Sequence, residues 1–187
     1  MKRRLLLTGP IGCGKSTLII NALGGAARDA GGFLTLRVIE DGRLAGFDLC
    51  SVDGKTRGRF LSFGEAGAAR DERPFTVTAP ALLRQAQEKK FALIDEIGGF
   101  ELLYPDFYEA LTAFLFSGKP CVGVLKAIPG AEELTRRVKL PPEYMDAARE
   151  LRELLEGDPD TLLLETTGRY DTNAEGALRH WAEEYAL

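Results

Sequence analysis

Residues 4–17 read Arg4-Leu5-Leu6-Leu7-Thr8-Gly9-Pro10-Ile11-Gly12-Cys13-Gly14-Lys15-Ser16-Thr17. Three consecutive leucines closed by Gly9-Pro10 predict a short buried strand over 4–8. Residues 16–23 predict a helix stopped by Gly24-Gly25. Between strand and helix, Gly9 to Ser16 match G-x-x-x-x-G-K-[ST]. A polyphosphate must lose water when it binds, and successive backbone N–H groups of such a loop replace that water. The helix start adds unpaired N–H groups and its positive dipole end. The candidate phosphate-binding residues are therefore Gly9, Pro10, Ile11, Gly12, Cys13, Gly14, Lys15, Ser16 and Thr17. Lys15 would bridge the β- and γ-phosphates, a catalytic role. Ser16 would hold Mg²⁺ through its hydroxyl, and Thr17 would support the helix start.

Residues 91–94 are Phe91-Ala92-Leu93-Ile94, followed by Asp95-Glu96. A continuous apolar run suits a parallel strand buried on both faces. In a doubly wound sheet ligands bind beyond the carboxyl ends of the strands, so both acids should emerge beside the loop. Asp95 is the candidate metal-site residue, directly or through water. Glu96, expected on the other side of the strand end, is the candidate catalytic base for a water attacking the γ-phosphorus.

Before this run, segments 33–40, 43–52 and 57–63 read as strands separated by Asp41-Gly42 and Asp53-Gly54. Those dipeptides predict an antiparallel meander near residues 33–63. After residue 79, helix and strand patterns alternate. Helices are predicted over 81–90, 105–116, 131–139, 142–156 and 173–185, and strands over 121–125 and 161–164. The fold class is α/β: a mostly parallel sheet flanked by helices, in one domain spanning 1–187.

Composition narrows the function classes. The chain has 187 residues, 24 Lys plus Arg, 28 Asp plus Glu, and a net charge of −4. Mild acidity provides no general attraction to nucleic acid or anionic membrane, so neither is expected as a partner. No apolar run approaches the roughly 18 residues that would cross a bilayer. The basic start Lys2-Arg3-Arg4 precedes an apolar stretch too short for an export signal. Cys13, Cys50 and Cys121 are odd in number and far apart, so a reduced cytoplasm is the default. With His180 the single histidine, a His-based metal site or Ser-His-Asp triad is nearly ruled out.

Three blocks together resemble the THEP1-type nucleoside-triphosphatases. They are residues 8–17, Gly32-Phe33-Leu34-Thr35 with Gly46-Phe47-Asp48, and Ile94-Asp95-Glu96-Ile97-Gly98-Gly99-Phe100-Glu101-Leu102. The resemblance implies a compact RecA-like P-loop NTPase fold. It implies hydrolysis of ATP, GTP and other nucleoside triphosphates, slowly and with little base preference. It also implies phosphate and Mg²⁺ binding by residues 12–17, Asp95 in the metal shell, and water activation by Glu96. The family usually has an acidic residue two after the Thr of its Gly-Phe-x-Thr segment, where this chain has Arg37. An Asn-Arg pair usual before the last helix is replaced by Tyr170-Asp171-Thr172-Asn173-Ala174.

Other basic residues are candidates for charge stabilisation. Lys126, after the strand 121–125, could sense the γ-phosphate at the ligand edge. Arg136, Arg137 and Lys139 could close over the triphosphate as an arginine finger. The leading function is Mg²⁺-dependent hydrolysis of a nucleoside triphosphate. Alternatives are a small nucleotide or nucleoside kinase, for which a basic lid speaks, and a nucleotide-dependent adaptor or switch. No Asn-Lys-x-Asp run indicates a dedicated guanine reader.

Overall fold

The computed structural model describes residues 2–168 and 170–187. Eight strands join one sheet: β1 (Arg4–Thr8), β2 (Gly31–Glu40), β3 (Arg43–Ser51), β4 (Arg57–Gly64), β5 (Gly67–Arg70), β6 (Ala92–Ile97), β7 (Cys121–Leu125) and β8 (Thr161–Glu165). Six helices accompany them: α1 (Lys15–Leu23), α2 (Ala79–Ala86), α3 (Pro105–Leu115), α4 (Ile128–Val138), α5 (Glu143–Gly157) and α6 (Thr172–Tyr185). The strand order is β5-β4-β3-β2-β6-β7-β1-β8. Strands β2, β6, β7, β1 and β8 run parallel, and β3, β4 and β5 extend the sheet antiparallel. The expected α/β sheet with its meander is present.

The leucine run of β1 shows why both faces are covered. Side chains alternate across a strand. Leu5 and Leu7 enter one core with Leu18, Ile19, Leu178 and Trp181 from α1 and α6. Leu6 enters the other, with Leu83, Phe107, Leu111, Phe114 and Leu151 from α2, α3 and α5. All three leucines are fully buried. Each contributes roughly 1.5–3 kcal/mol of burial free energy. Trp181 closes its end of the core edge-on to Phe91, with ring centroids 5.7 Å apart.

The turn Asp41-Gly42 has φ of 49° and 73°, both left-handed as a two-residue hairpin demands. Boundaries shift modestly from the sequence expectation. A π turn over 74–78 precedes α2, so the helical segment lies earlier than 81–90 and ends at Ala86. Strand β5 was not expected; its Gly-Ala-Ala-Arg run is exposed throughout and carries no alternating pattern.

Topology places the chemistry. Strands β6, β7 and β1 are consecutive neighbours and parallel. Their carboxyl ends therefore meet at one edge. The loop after β1, the acid pair ending β6 and Lys126 after β7 converge there.

Candidate functional site

Gly9 leaves β1 at φ +141°, and a Cβ there would lie 2.3 Å from the Thr166 carbonyl oxygen. Only glycine lets the loop turn this close to the chain following β8. The loop ends at Gly14, left-handed at φ 101°, and α1 begins at Lys15 with no side chain capping its first turn. Its leading N–H groups are left for an anion. The Lys15 ammonium lies inside the curl and donates to the carbonyls of Gly9 at 3.0 Å and Pro10 at 2.7 Å. The Cys13 sulfur is 3.8 Å from it.

Ser16 and Asp95 meet across the loop. The Ser16 hydroxyl donates to Asp95 Oδ1 at 2.7 Å. Asp95 is 6 % exposed. Burial pushes its carboxyl up to about 6, against the Ser16 hydrogen bond and with help from the neighbouring Glu96 charge. Thr35 on β2 donates to the Asp95 carbonyl at 3.2 Å and so ties the meander to this position.

Glu96 departs from the expectation that it faces away from Asp95. It adopts a left-handed φ of 59°, and the β6–β7 register shifts between Ile94 and Ile97. This bulge breaks the strand alternation. Asp95 and Glu96 consequently line the same cavity of about 330 Å³, with Gly12, Gly14, Lys15, Ser16 and Thr17. A non-glycine residue in this region costs about 1 kcal/mol or more, a kind of strain that clusters at functional sites. Glu96 is ion-paired with Lys126. Burial pushes the Glu96 carboxyl up, but Lys126, Lys15 and Arg37 together hold it below the usual range. Two adjacent carboxyls are thus driven in opposite directions, which separates their chemical roles.

The turn after Glu96 is clamped by two buried groups. Glu101 Oε1 accepts from the N–H groups of Gly98 at 2.8 Å and Gly99 at 2.7 Å. Burial raises the Glu101 carboxyl, and those N–H groups oppose the shift. The fully buried Tyr144 donates to the Gly98 carbonyl at 2.8 Å. Sequence reading did not assign either a place here. The signal for Glu101 was available: Gly98-Gly99 offers two N–H groups within reach of an acid two residues on. Tyr144 comes from α5, a distant segment.

Lys126, one of the basic candidates, stands at this edge paired with Glu96. Arg136, Arg137 and Lys139 are exposed. Arg137 instead lies over the Phe63 ring, 4.6 Å from its centroid. The structure therefore does not bring that cluster to the loop.

The donors present suit a hard cation. Ser16 and Asp95 supply oxygen ligands, which match Mg²⁺ rather than a soft metal. Among the described residues no group of three or more His, Cys, Asp or Glu could hold a metal by itself. An ion here would share its shell with phosphate oxygens and water, the usual arrangement for Mg²⁺.

Comparison with known proteins agrees with this geometry. Residues 4–156 match the family model described as NTPase. Nucleoside-triphosphatase THEP1 of Thermotoga sp. (strain RQ2) is 32% identical over 151 residues, covering 72% of this chain and 81% of that protein. Nucleoside-triphosphatase THEP1 of Metallosphaera sedula is 33% identical over 153 residues, covering 79% and 83%. The solution structure of a human cancer-related nucleoside triphosphatase superposes with a TM-score of 0.60 over 97% of this chain and 96% of that one, at 21% identity. The sheet, the loop and these matches together place the chain in the THEP1-type nucleoside-triphosphatase family of P-loop hydrolases.

Proposed function

We propose that this chain is a Mg²⁺-dependent nucleoside-triphosphatase that hydrolyses ATP, GTP and other nucleoside triphosphates to the diphosphate and phosphate, slowly and with little base preference. The observation that carries this reading is the shared wall of Asp95 and Glu96 over the loop that holds Lys15 and Ser16. The N–H groups of residues 11–17 and the Lys15 ammonium bind the polyphosphate. Ser16 and Asp95 would hold Mg²⁺, which would supply neutralisation of phosphate charge. Glu96 orients a water and accepts its proton as oxygen attacks the γ-phosphorus. The bond from phosphorus to the bridging oxygen breaks, and the nucleoside diphosphate leaves.

The ion pair with Lys126 keeps Glu96 ionised. A carboxylate held below its usual range is a weak base, which is consistent with slow turnover. Breadth of substrate is supported by the family resemblance and by the missing guanine-reading run.

Two cavities adjoin Glu96 and Lys126. One is a space of about 70 Å³ walled by Phe47, Phe60, Phe75 and Phe100. It suits a few water molecules, each needing about 10–15 Å³ of such volume. A purine nucleoside needs far more. The other, of about 410 Å³, is lined by Glu96, Lys126, Lys15 and Pro129, so the choice between water and a nucleoside acceptor falls to the labelling experiment below.

We further read residues 1–187 as one domain, supported by the joining of all eight strands in one sheet. No helix among the described residues is long and apolar enough to cross a membrane. The cytoplasm is the proposed location, the nucleoside triphosphate the proposed small-molecule partner, and no nucleic-acid partner is proposed. Phosphate release from ATP and from GTP, with and without added nucleosides, tests the reaction class. Release independent of acceptor is expected. Transfer of γ-label to a nucleoside would replace hydrolysis with kinase chemistry.

A further inference from the structure

Three cationic side chains line the two cavities that adjoin the loop: Lys15 both, Lys126 one and Arg37 the other. Two are already engaged. Lys15 donates to loop carbonyls, and Lys126 is paired with Glu96. Arg37 is different. Among the described residues it makes no hydrogen bond and no ion pair. Two other meander arginines, Arg57 and Arg59, both donate to Asp48.

Arg37 sits on β2 opposite Phe47 of β3, and both residues line the cavity that holds Ser16 and Asp95. Its Nη2 atom stands 3.7 Å from where a Cβ on Gly12 would lie. The guanidinium thus overhangs the glycine at the middle of the phosphate loop, from the wall facing it. Thr35, two residues earlier on the same strand face, is fastened to the Asp95 carbonyl. That bond fixes the strand from which Arg37 projects. Asp95 and Glu96 close the other side of the same cavity.

A planar guanidinium offers five donors in a fork that matches phosphate oxygens, and it stays charged throughout. Placed over the terminal phosphate, it would meet charge that grows on the phosphoryl oxygens and the leaving oxygen in the transition state. We propose that Arg37 is a catalytic residue of this site, an arginine carried on the chain's own meander that donates to the terminal phosphate as its bond to the leaving diphosphate breaks. It gives up no proton: water and nucleoside triphosphate become nucleoside diphosphate and phosphate, with the water proton passing to Glu96. The proposal rests on the hydrolytic reading above.

The test uses Arg37→Ala, Arg37→Gln and Arg37→Lys in the full chain. Arg37 is exposed and, among the described residues, makes no hydrogen bond or ion pair, so thermal melts of the variants should match the parent. Turnover of Mg·ATP should fall on the order of 100-fold or more in the Ala and Gln variants. Affinity for Mg·ADP alone should change by no more than about threefold, since the ground-state anchors are the loop and Lys15. The decisive readout is binding of Mg·ADP with and without aluminium fluoride, a mimic of the transferring phosphoryl group. The parent should bind more tightly with fluoroaluminate, and the Ala and Gln variants should lose that gain. Lysine should restore only part of it.

Unchanged turnover and an unchanged fluoroaluminate gain in Arg37→Ala would overturn the assignment while leaving hydrolysis intact. An equal loss of affinity for both forms would make Arg37 a ground-state anchor, which also overturns it. A parent protein releasing no phosphate from any nucleoside triphosphate would instead remove the hydrolytic reading, and this proposal with it.

Discussion

The Ser16 hydroxyl and the Asp95 carboxylate are joined by a 2.7 Å hydrogen bond across 79 residues of chain. It ties the first turn of α1 to the end of β6. The two groups best suited to share a hard cation are thus held in contact by the fold itself.

Ser16→Ala removes one of the two proposed metal ligands and leaves Asp95 buried with one partner fewer. Mg²⁺-stimulated turnover should fall by two orders of magnitude or more, since the metal's orienting and charge-neutralising role depends on its shell. Titrating phosphate release against Mg²⁺ checks this: the half-saturating concentration should rise steeply in Ser16→Ala. An unchanged Mg²⁺ requirement would remove Ser16 from the shell.

Glu96→Gln keeps shape and loses the proposed base. Nucleotide affinity should be preserved within a fewfold and turnover should fall about 100- to 10,000-fold. Lys126→Met probes the same carboxyl from the other side. Lys126 is the largest influence opposing burial at Glu96, so its removal should raise the Glu96 pKa. The acid limb of the turnover profile should then move to higher pH. A profile that keeps its position would show that Glu96 is not the group being titrated.

Asp95 makes a stability prediction for the metal-free protein. Its folded carboxyl is raised from 3.8 to about 6. Between those values the native state binds more protons than the unfolded state, so this group's contribution to stability falls as pH rises from about 4 to 6, then levels off. The slope is on the order of 1 kcal/mol per pH unit. Other carboxylates act in the opposite direction, so the informative quantity is the difference from Asp95→Asn. Metal-free Asp95→Asn should gain stability relative to the parent as pH is raised across this window in urea melts. A constant difference between pH 4 and 7 would contradict the burial effect.

Arg4 tests the scaffold apart from the chemistry. It is 2 % exposed. It pairs with Asp158 and donates to Thr161 Oγ1 and the Leu115 carbonyl. Breaking a buried pair by removing one partner costs about 3–5 kcal/mol. Arg4→Ala should melt well below the parent while nucleotide affinity per folded molecule stays the same, because Arg4 lies at the opposite end of β1 from the loop. A melt within a degree or two of the parent would show that Asp158 is satisfied without it.

What was legible in the sequence was mostly local. The strand 4–8 and the loop after it are written in consecutive residues, and so is the hairpin turn at Asp41-Gly42. The apolar run before Asp95 placed that acid at the sheet edge because parallel strands share a polarity. What stayed hidden depends on bonds between distant segments or on a single dihedral angle. Nothing in the letters Asp95-Glu96 announces a left-handed Glu96, so strand alternation sent the two acids to opposite sides. The basic cluster Arg136, Arg137 and Lys139 of the segment 131–139 was a lid candidate because charge composition does not reveal direction; Arg137 turned instead to Phe63. Arg37 registered only as a departure from the family pattern, and its place over Gly12 emerged from the pairing of β2 with β3.

The central claim is that one metal-bound polyphosphate lies between the loop of residues 9–17 and the Asp95-Glu96 pair. The most direct measurement is a crystal structure of Glu96→Gln with ATP and Mg²⁺, in which turnover is too slow to consume the ligand. The expected result is β- and γ-phosphates wrapped by the loop, one Mg²⁺ held by Ser16 Oγ and by Asp95 directly or through water, and the substituted side-chain amide facing the γ-phosphorus. A triphosphate bound elsewhere, or a metal ion with neither Ser16 nor Asp95 in its shell, would contradict it.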